Sequence, residues 1–194
     1  MGVSWVFESL NSASCVEKQL EVAGADSLGG YSVDATPYTP SEQGISHFYL
    51  LHHSNFPQSA FSIAHSGDFK GSARSSFDRG FDLILQKLNS GLKADLSGRF
   101  EVTGKELSLK DFRIRVGSVT QNTVAKGTIV EVEYPPSCIA SQALPILVDF
   151  IEHFFPHELE KRPEVLKRTA PEPYGALETL YQYSLIFSEM RKRA

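Results

Sequence analysis

Residues 112–134 read FRIRVGSVTQNTVAKGTIVEVEY, and this stretch carries most of the information about the fold. Charged and apolar side chains alternate on both sides of a short polar connection. Arg113 and Arg115 precede the connection, and Glu131 and Glu133 follow it. A period of two places each pair on one face of its own strand. Because the connection is short, we predict an antiparallel hairpin. If Arg115 opposes Glu131 in this hairpin, then Arg113 opposes Glu133.

Similar alternating segments, rich in aromatic and β-branched residues, occupy most of the chain before this hairpin. Proline, glycine and asparagine separate them, and Leu28-Gly29-Gly30 is one such turn signal. The predicted strands are 3–8, 31–36, 45–52, 58–66, a short fifth at 70–74, 98–103, 107–120 and 127–134.

Four segments have the apolar period of a helix. The first starts at a capping box of Ser14 and Glu17 and ends at Gly24. The second, 77–92, is expected to pack on the sheet. The third begins at Ser141 and the fourth near Tyr174. The apolar face of the second helix is formed by Phe77, Phe81, Ile84, Leu85, Leu88 and Leu92.

Strands followed by helices predict an α+β fold with an antiparallel sheet. Eight strands are enough to form a β-barrel, closed or partly open, with packed helices, two of them C-terminal. We expect residues 1–194 to form a single barrel domain in which the charged, proline-rich segment 156–173 is a surface loop. The last helix, with its wide apolar face, must dock on its own sheet or on another protein.

Composition excludes several functional classes. The net charge of −4 argues against a general nucleic-acid binder. No segment approaches the roughly 18 apolar residues of a membrane span, and the N-terminus lacks the basic leader of a signal peptide. Cys15 and Cys138 are predicted to be buried or partly buried free thiols. The basic run 191–193 is expected to oppose the negative end of a helix dipole.

The histidines do not form a recognisable metal site. Those on predicted strands lack a third donor at suitable spacing, and His52 and His53 point to opposite faces because they are adjacent. His153 and His157 are separated by Pro156, which is expected to end their helix. We therefore predict no metal and no cofactor, and ordinary surface or boundary positions for His47, His52, His53, His65, His153 and His157.

The Arg-x-Arg and Glu-x-Glu strands permit two hypotheses. In the first, they form a solvated face of cross-strand ion pairs. In the second, they line a catalytic barrel, where Glu131 and Glu133 hold a divalent cation and the arginines neutralise phosphate, as in a metal-dependent tunnel-type triphosphatase. Only one Glu-x-Glu, Glu131 and Glu133, lies on a predicted strand, and Glu101 and Glu106 are predicted to straddle a turn. The missing second acidic pair favours the non-catalytic hypothesis, and no catalytic residue is assigned.

Several motifs, in order along the chain, resemble the Mediator complex subunit 20 family. The central signature is Val-Gly-Ser-Val-Thr at 116–120 followed by Gly-Thr-Ile-Val-Glu-Val-Glu-Tyr at 127–134. The chain also begins Met-Gly-Val and has an aromatic, histidine and serine pattern within 47–65. Its C-terminal part reads Tyr-Gly-Ala-Leu-Glu-Thr-Leu-Tyr-Gln-Tyr-Ser-Leu-Ile-Phe at 174–187 and has a basic end.

This resemblance implies a barrel of about eight strands and a non-catalytic role in a nuclear coactivator of RNA polymerase II. It further implies a heterodimer with Mediator subunit 18, a related barrel, in the head module. Subunit 8 would tether that pair to the rest of Mediator, and contacts would extend to the TATA-binding protein. Aromatics and arginine mark interface cores and barrel cores alike, so the sequence assigns no residue to the partner interface.

Overall fold

The chain folds into one antiparallel sheet with helices on both of its faces. The computed structural model describes residues 1–40, 47–66, 68–87, 91–167 and 172–193. The strands in these residues are β1 (Val3–Ser9), β2 (Asp26–Pro40), β3 (Phe48–His53), β4 (Ser59–Ser66), β5 (Asp68–Asp78), β6 (Leu92–Ala94), β7 (Phe100–Leu109), β8 (Phe112–Gln121) and β9 (Val124–Tyr134). The α-helices are α1 (Ala13–Val22), α2 (Phe81–Lys87), α3 (Ala140–Phe154) and α4 (Ala176–Lys192).

The sheet is an open half-barrel. Its strand order is β1-β9-β8-β7-β2-β3-β4-β5, and the short β6 pairs with β2 outside this path. Within the described residues β1 and β5 are the two ends of the sheet and do not pair with each other. The predicted α+β fold with an antiparallel, roughly eight-stranded barrel and packed helices is confirmed, in its partly open form.

Helices α1 and α3 cover the outer face of the sheet near β1, β8 and β9. Phe112 of β8 packs on Phe150 of α3 with ring centroids 4.3 Å apart, and Phe7 of β1 packs on Phe155 at 5.0 Å. The smaller α2 covers the outer face further along, where Leu85 joins a separate apolar cluster. These contacts bury the apolar residues that alternate with charged ones along each strand.

Helix α4 lies against the inner face. Phe187 stacks on Phe100 of β7 at 5.0 Å, and Tyr181 packs on His65 of β4 and Phe69 of β5. Tyr181, Tyr183 and Phe187 are at most 1% exposed. The C-terminal helix is therefore part of the core and docks on its own sheet.

The predicted helix over 77–92 is wrong at both ends. Phe77 belongs to β5, where it pairs with Ala60. The described part of α2 is Phe81–Lys87, and Leu92 is already in β6. Leu88 lies outside the described residues. The Phe77 and Phe81 rings stack at 4.0 Å across the junction between strand and helix. This contact produces a four-residue apolar spacing without a continuous helix.

Two glycines were interpreted wrongly from sequence. Gly104 falls between the predicted strands 98–103 and 107–120, but β7 runs through it and pairs it with Gly117 of β8. A Cβ at Gly104 would lie 1.8 Å from the carbonyl oxygen of Val116, so glycine here permits close strand approach rather than a turn. Gly29 has φ of 142° and accompanies a register shift inside β2, so Leu28-Gly29-Gly30 is a β-bulge.

Several local predictions also need correction. Helix α1 begins at Ala13 with Ser12 as its N-cap, so the predicted capping box is absent, and Glu17 contacts Lys105 at 2.7 Å instead. Both cysteines are exposed rather than buried. For Cys15 the reason is that Val16 and Leu20 form the apolar face of α1.

The described part of the segment 156–173 combines exposed residues with short helical turns and two buried apolar side chains. It contains two 3-10 helices, Pro156–Lys161 and Glu164–Leu166, and buries Val165 and Leu166 against the core, whereas residues 168–171 lie outside the described part. The first two residues of the predicted strand 45–52 also lie outside it. No described helix has the length and apolarity needed to cross a membrane.

Candidate functional site

A buried network of charged side chains lies on the inner face at β8 and β9. The predicted antiparallel hairpin is confirmed, and its register pairs Arg115 with Glu131 and Arg113 with Glu133. Arg115, Glu131 and Glu133 are 2%, 1% and 6% exposed. The period of two points these side chains inward, where α4 and neighbouring strands remove them from water.

Arg115 lies at the centre of the network and contacts three carboxylates. Its Nη1 donates to Glu131 Oε1 at 2.7 Å, and its Nη2 donates to Glu133 Oε2 and Glu106 Oε1, both at 2.8 Å. With its carboxamide oxygen turned toward the guanidinium, Asn55 accepts from Nε at 3.1 Å. The planar guanidinium thus connects β7, β8, β9 and the residues after β3.

Glu131 accepts hydrogen bonds from four elements. Besides Arg115, Ser4 Oγ of β1 donates to its Oε1 at 3.0 Å, and Tyr183 of α4 donates to its Oε2 at 2.8 Å. The His53 Nε2 atom lies 3.3 Å from the same Oε2. Both oxygens of this fully buried carboxylate are satisfied, which is the condition for a stable buried charge.

The surroundings fix the charges of these groups. Burial raises the pKa of Glu131, but Arg115, His53 and Tyr183 more than offset it and hold that pKa well below the usual range. Burial lowers the pKa of Arg115, whereas the three glutamates raise it above its ordinary value. Burial and the nearby Glu131 raise the pKa of Tyr183. At neutral pH the network therefore contains an ionised carboxylate, a guanidinium and a neutral phenol donor.

The two arginines of the Arg-x-Arg motif differ in environment. The side chain of Arg113 is 50% exposed and lies 3.6 Å from Glu106, whereas that of Arg115 is 3% exposed. The hypothesis of a solvated face is therefore wrong for Arg115, Glu131 and Glu133. Their side chains face inward, as the barrel hypothesis predicted, but they pair with each other, as the ion-pair hypothesis predicted.

This geometry does not favour the triphosphatase hypothesis. The guanidinium of Arg115 lies between Glu131 and Glu133, in the position that a bridging cation would need. Glu133 also accepts from the Gly2 backbone N–H at 2.7 Å. No group of three or more potential metal-ligating side chains occurs in the part of the chain that the structure describes. The acidic pair acts as a structural counter-charge.

Sequence reasoning missed several members of the network. His53 is 3% exposed and belongs to the network, while its neighbour His52 contacts Asp34 at 3.4 Å on the outer face. The prediction that they point to opposite faces is correct, but His53 is neither a surface nor a boundary residue. Glu106 was placed at a turn, although it lies in β7 opposite Arg115. Strand alternation signals both positions once strand bounds are known.

The outer edge of β1 is covered by the side chains of Gln182, in α4, and Tyr174, which precedes α4. The Val6 N–H donates to Gln182 Oε1 at 2.8 Å, and Gln182 Nε2 donates to the Ser4 carbonyl at 3.0 Å. The Tyr174 hydroxyl donates to the same carbonyl at 3.0 Å and accepts from Gln182 at 2.7 Å. One side-chain amide therefore supplies the donor and acceptor that a neighbouring strand would provide.

The sheet is an open half-barrel, and the charges of its inner face are paired within the chain. These two features define the class of protein as a half-barrel scaffold. A family model described as the TATA-binding related factor (TRF) of subunit 20 of the Mediator complex matches residues 1–188. The chain belongs to the Mediator subunit 20 family, which confirms the resemblance of its motifs. Members of this family are subunits of a transcription coactivator and are not enzymes.

Relatives agree with this assignment, and a solved structure shares the fold. A Mediator of RNA polymerase II transcription subunit 20 from Caenorhabditis briggsae is 43% identical over 100% of both chains. The Homo sapiens protein of the same name is 30% identical over 91% of this chain and 84% of its own. A solved structure of a Pyrococcus horikoshii protein shares the fold, with a TM-score of 0.51 and 12% identity over 79% of this chain and 90% of that one.

Proposed function

We propose that this chain binds Mediator subunit 18, a sister barrel, in the head module, and acts in the nucleus in regulated transcription by RNA polymerase II. The observation that carries the proposal is the family match over residues 1–188. We further propose that subunit 8 joins the pair through subunit 18, and that contacts extend to the TATA-binding protein and the polymerase machinery.

The interior of the fold supports a binding role rather than chemistry. Arg115, Glu131 and Glu133 are engaged with each other, with Ser4 and with Tyr183, so their hydrogen-bonding capacity is used for stability. A partner therefore has to bind at the surface or at an edge of the sheet. We propose that residues 1–194 act as one domain, because a single apolar cluster draws residues from Val3 to Met190.

Co-expression with subunit 18 from the same source, followed by size exclusion with light scattering, tests this function. We expect a stable complex of one copy of each chain. A wild-type chain that elutes as a monomer beside free subunit 18 contradicts the proposal.

A further inference from the structure

The second end of the sheet, the outer edge of β5, differs from the covered edge of β1. Within the described residues β5 pairs only with β4. Its pairing is regular from Ala73 to Asp78, opposite Ala64 to Ser59, and a register shift near Ser66 interrupts it before that run. The regular run is therefore a short, straight stretch of edge strand.

The direction of the backbone groups on this edge follows from one hydrogen bond. The Arg79 N–H donates to the Gln58 carbonyl at 3.0 Å, one step beyond the pairing of Asp78 with Ser59. Bonded and non-bonded pairs alternate in an antiparallel ladder. The N–H and C=O groups of Ser76 and Asp78 therefore point away from β4, to the outer side of the sheet.

The side chains beside this edge leave room for another backbone. Ser75, Ser76 and Asp78 are exposed, and two of the three are serines. Phe77 is half-buried and stacks on Phe81, so one face of the edge carries a fixed aromatic surface. A strand added here would place a side chain against Phe77, as cross-strand pairs do in sheets.

We propose that the Ser75–Asp78 edge of β5 binds an extended strand of a protein partner by strand addition, with a β-branched or aromatic side chain against Phe77. Alternating donors and acceptors at strand spacing match an extended backbone. The inference rests on the proposed function, in which the chain binds another subunit.

The length of the edge indicates a different protein rather than a second copy of this chain. Four residues of edge bury far less than the roughly 1,200 Å² of a stable interface. A second copy joined by this edge alone would lack the remaining contacts. A sister subunit that also contacts this chain elsewhere can supply them, so strand addition would set the orientation of the pair.

The test is Ser76→Pro, with Ser76→Ala as its matched control, each co-expressed with subunit 18. Proline removes the outward N–H of residue 76 but no bond to β4, and proline is tolerated on edge strands. We expect at least a tenfold loss of affinity in Ser76→Pro, wild-type affinity in Ser76→Ala, and a melting temperature of the free proline variant close to that of the wild type.

Amide hydrogen exchange on the wild-type chain provides a measurement independent of the variants. We expect the amides of Ser76 and Asp78 to exchange quickly in the free chain and slowly in the complex. Fast exchange in the complex, a proline variant that binds as the wild type does, or a homodimer of this chain that Ser76→Pro abolishes would each overturn the inference. An intact wild-type complex in those experiments preserves the proposed function, whereas absence of any complex removes both.

Discussion

The two ends of the half-barrel have the same backbone chemistry and opposite surroundings. In β1 the residues Val3 to Phe7 are all buried, and Gln182 bonds the outward groups of Ser4 and Val6. In β5 most residues are exposed, and within the described chain no strand covers the outward groups of Ser76. An edge strand is a liability unless something pairs with it or covers it.

The difference shows that one helix can turn an edge strand into core. Helix α4 supplies Gln182 to the edge, Tyr183 to the charged network and Phe187 to the apolar interior. In β5, Phe69 near the beginning of the strand packs on Tyr181 of α4. The covered edge stabilises the subunit, and we infer that the other edge serves a partner.

Removing α4 should cause the largest loss of stability, because it exposes the β1 edge and the inner face of the sheet together. We expect a chain ending at Gly175 to lose cooperative unfolding in urea, followed by the fluorescence of Trp5, the only tryptophan. A chain ending at Met190 is the control. It loses the exposed contacts of Arg191 and Arg193, worth about 1 kcal/mol or less each. Cooperative unfolding of the shorter chain would show that the half-barrel folds without its helix.

The next effect concerns the charged network beside the covered edge. Arg115→Met leaves three carboxylates without their shared counter-charge and should lower the free energy of unfolding by about 3–5 kcal/mol. Arg113→Met, two residues away on the same strand, should cost roughly 1 kcal/mol or less, because its side chain is half-exposed. Urea denaturation measures both. Equal losses would mean that burial does not distinguish the two arginines.

A smaller effect isolates the hydrogen bonds at the β1 edge. Gln182→Met keeps the approximate size of the side chain but leaves the buried Val6 N–H without its acceptor, at a cost of about 1–3 kcal/mol. Ser76→Ala removes a comparable polar group from the β5 edge. It should change the free energy of unfolding by no more than about 0.5 kcal/mol. Thermal unfolding compares the two variants with the wild type. A Gln182→Met protein as stable as the wild type would show that the amide does not act as a substitute strand.

The smallest expected effect is a change in the pH dependence of stability. Since the folded pKa of Glu131 is depressed, its contribution is fully present above the unfolded pKa of about 4.3 and is lost as pH falls. The difference in the free energy of unfolding between the wild type and Glu131→Gln should therefore become smaller from pH 6 to pH 3. Burial lowers the pKa of His65, so the unfolded chain binds this proton more readily and stability falls below about pH 6.5. This loss is the same in both proteins and cancels in the difference between their free energies of unfolding. A constant difference would contradict the prediction.

The hairpin of β8 and β9 was the most predictable part of the fold. Its short connection predicted the antiparallel pairing, and its alternation placed each charged pair on one face. The structure set Arg115 opposite Glu131, and a slip of one residue would turn the charged face outward. The α+β class, the final helix and the family signature also followed from local pattern. The strands from β2 to β5 were less predictable in length. There, a bulge at Gly29 and the stacking of Phe77 on Phe81 imitate a turn and a helix.

The site was predicted only in part. The motif indicated paired charges, but it treated Arg113 and Arg115 alike, and it omitted His53, Tyr183 and Ser4. These residues reach Glu131 across 78, 52 and 127 positions of the chain. Periodicity identifies the face on which a side chain lies, and it contains no information about which distant element covers that face.

By itself, the sequence determined the antiparallel strands, the matching of arginines with glutamates, the apolar helices and the family. Tertiary structure decided which charges are buried, which edge α4 covers and which strand ends the sheet within the described residues. The physical reason is that pattern and propensity act over a few residues, whereas burial depends on contacts such as that between Val6 and Gln182, 176 positions apart. Those contacts exist only after the sheet has curved and α4 has packed against its inner face.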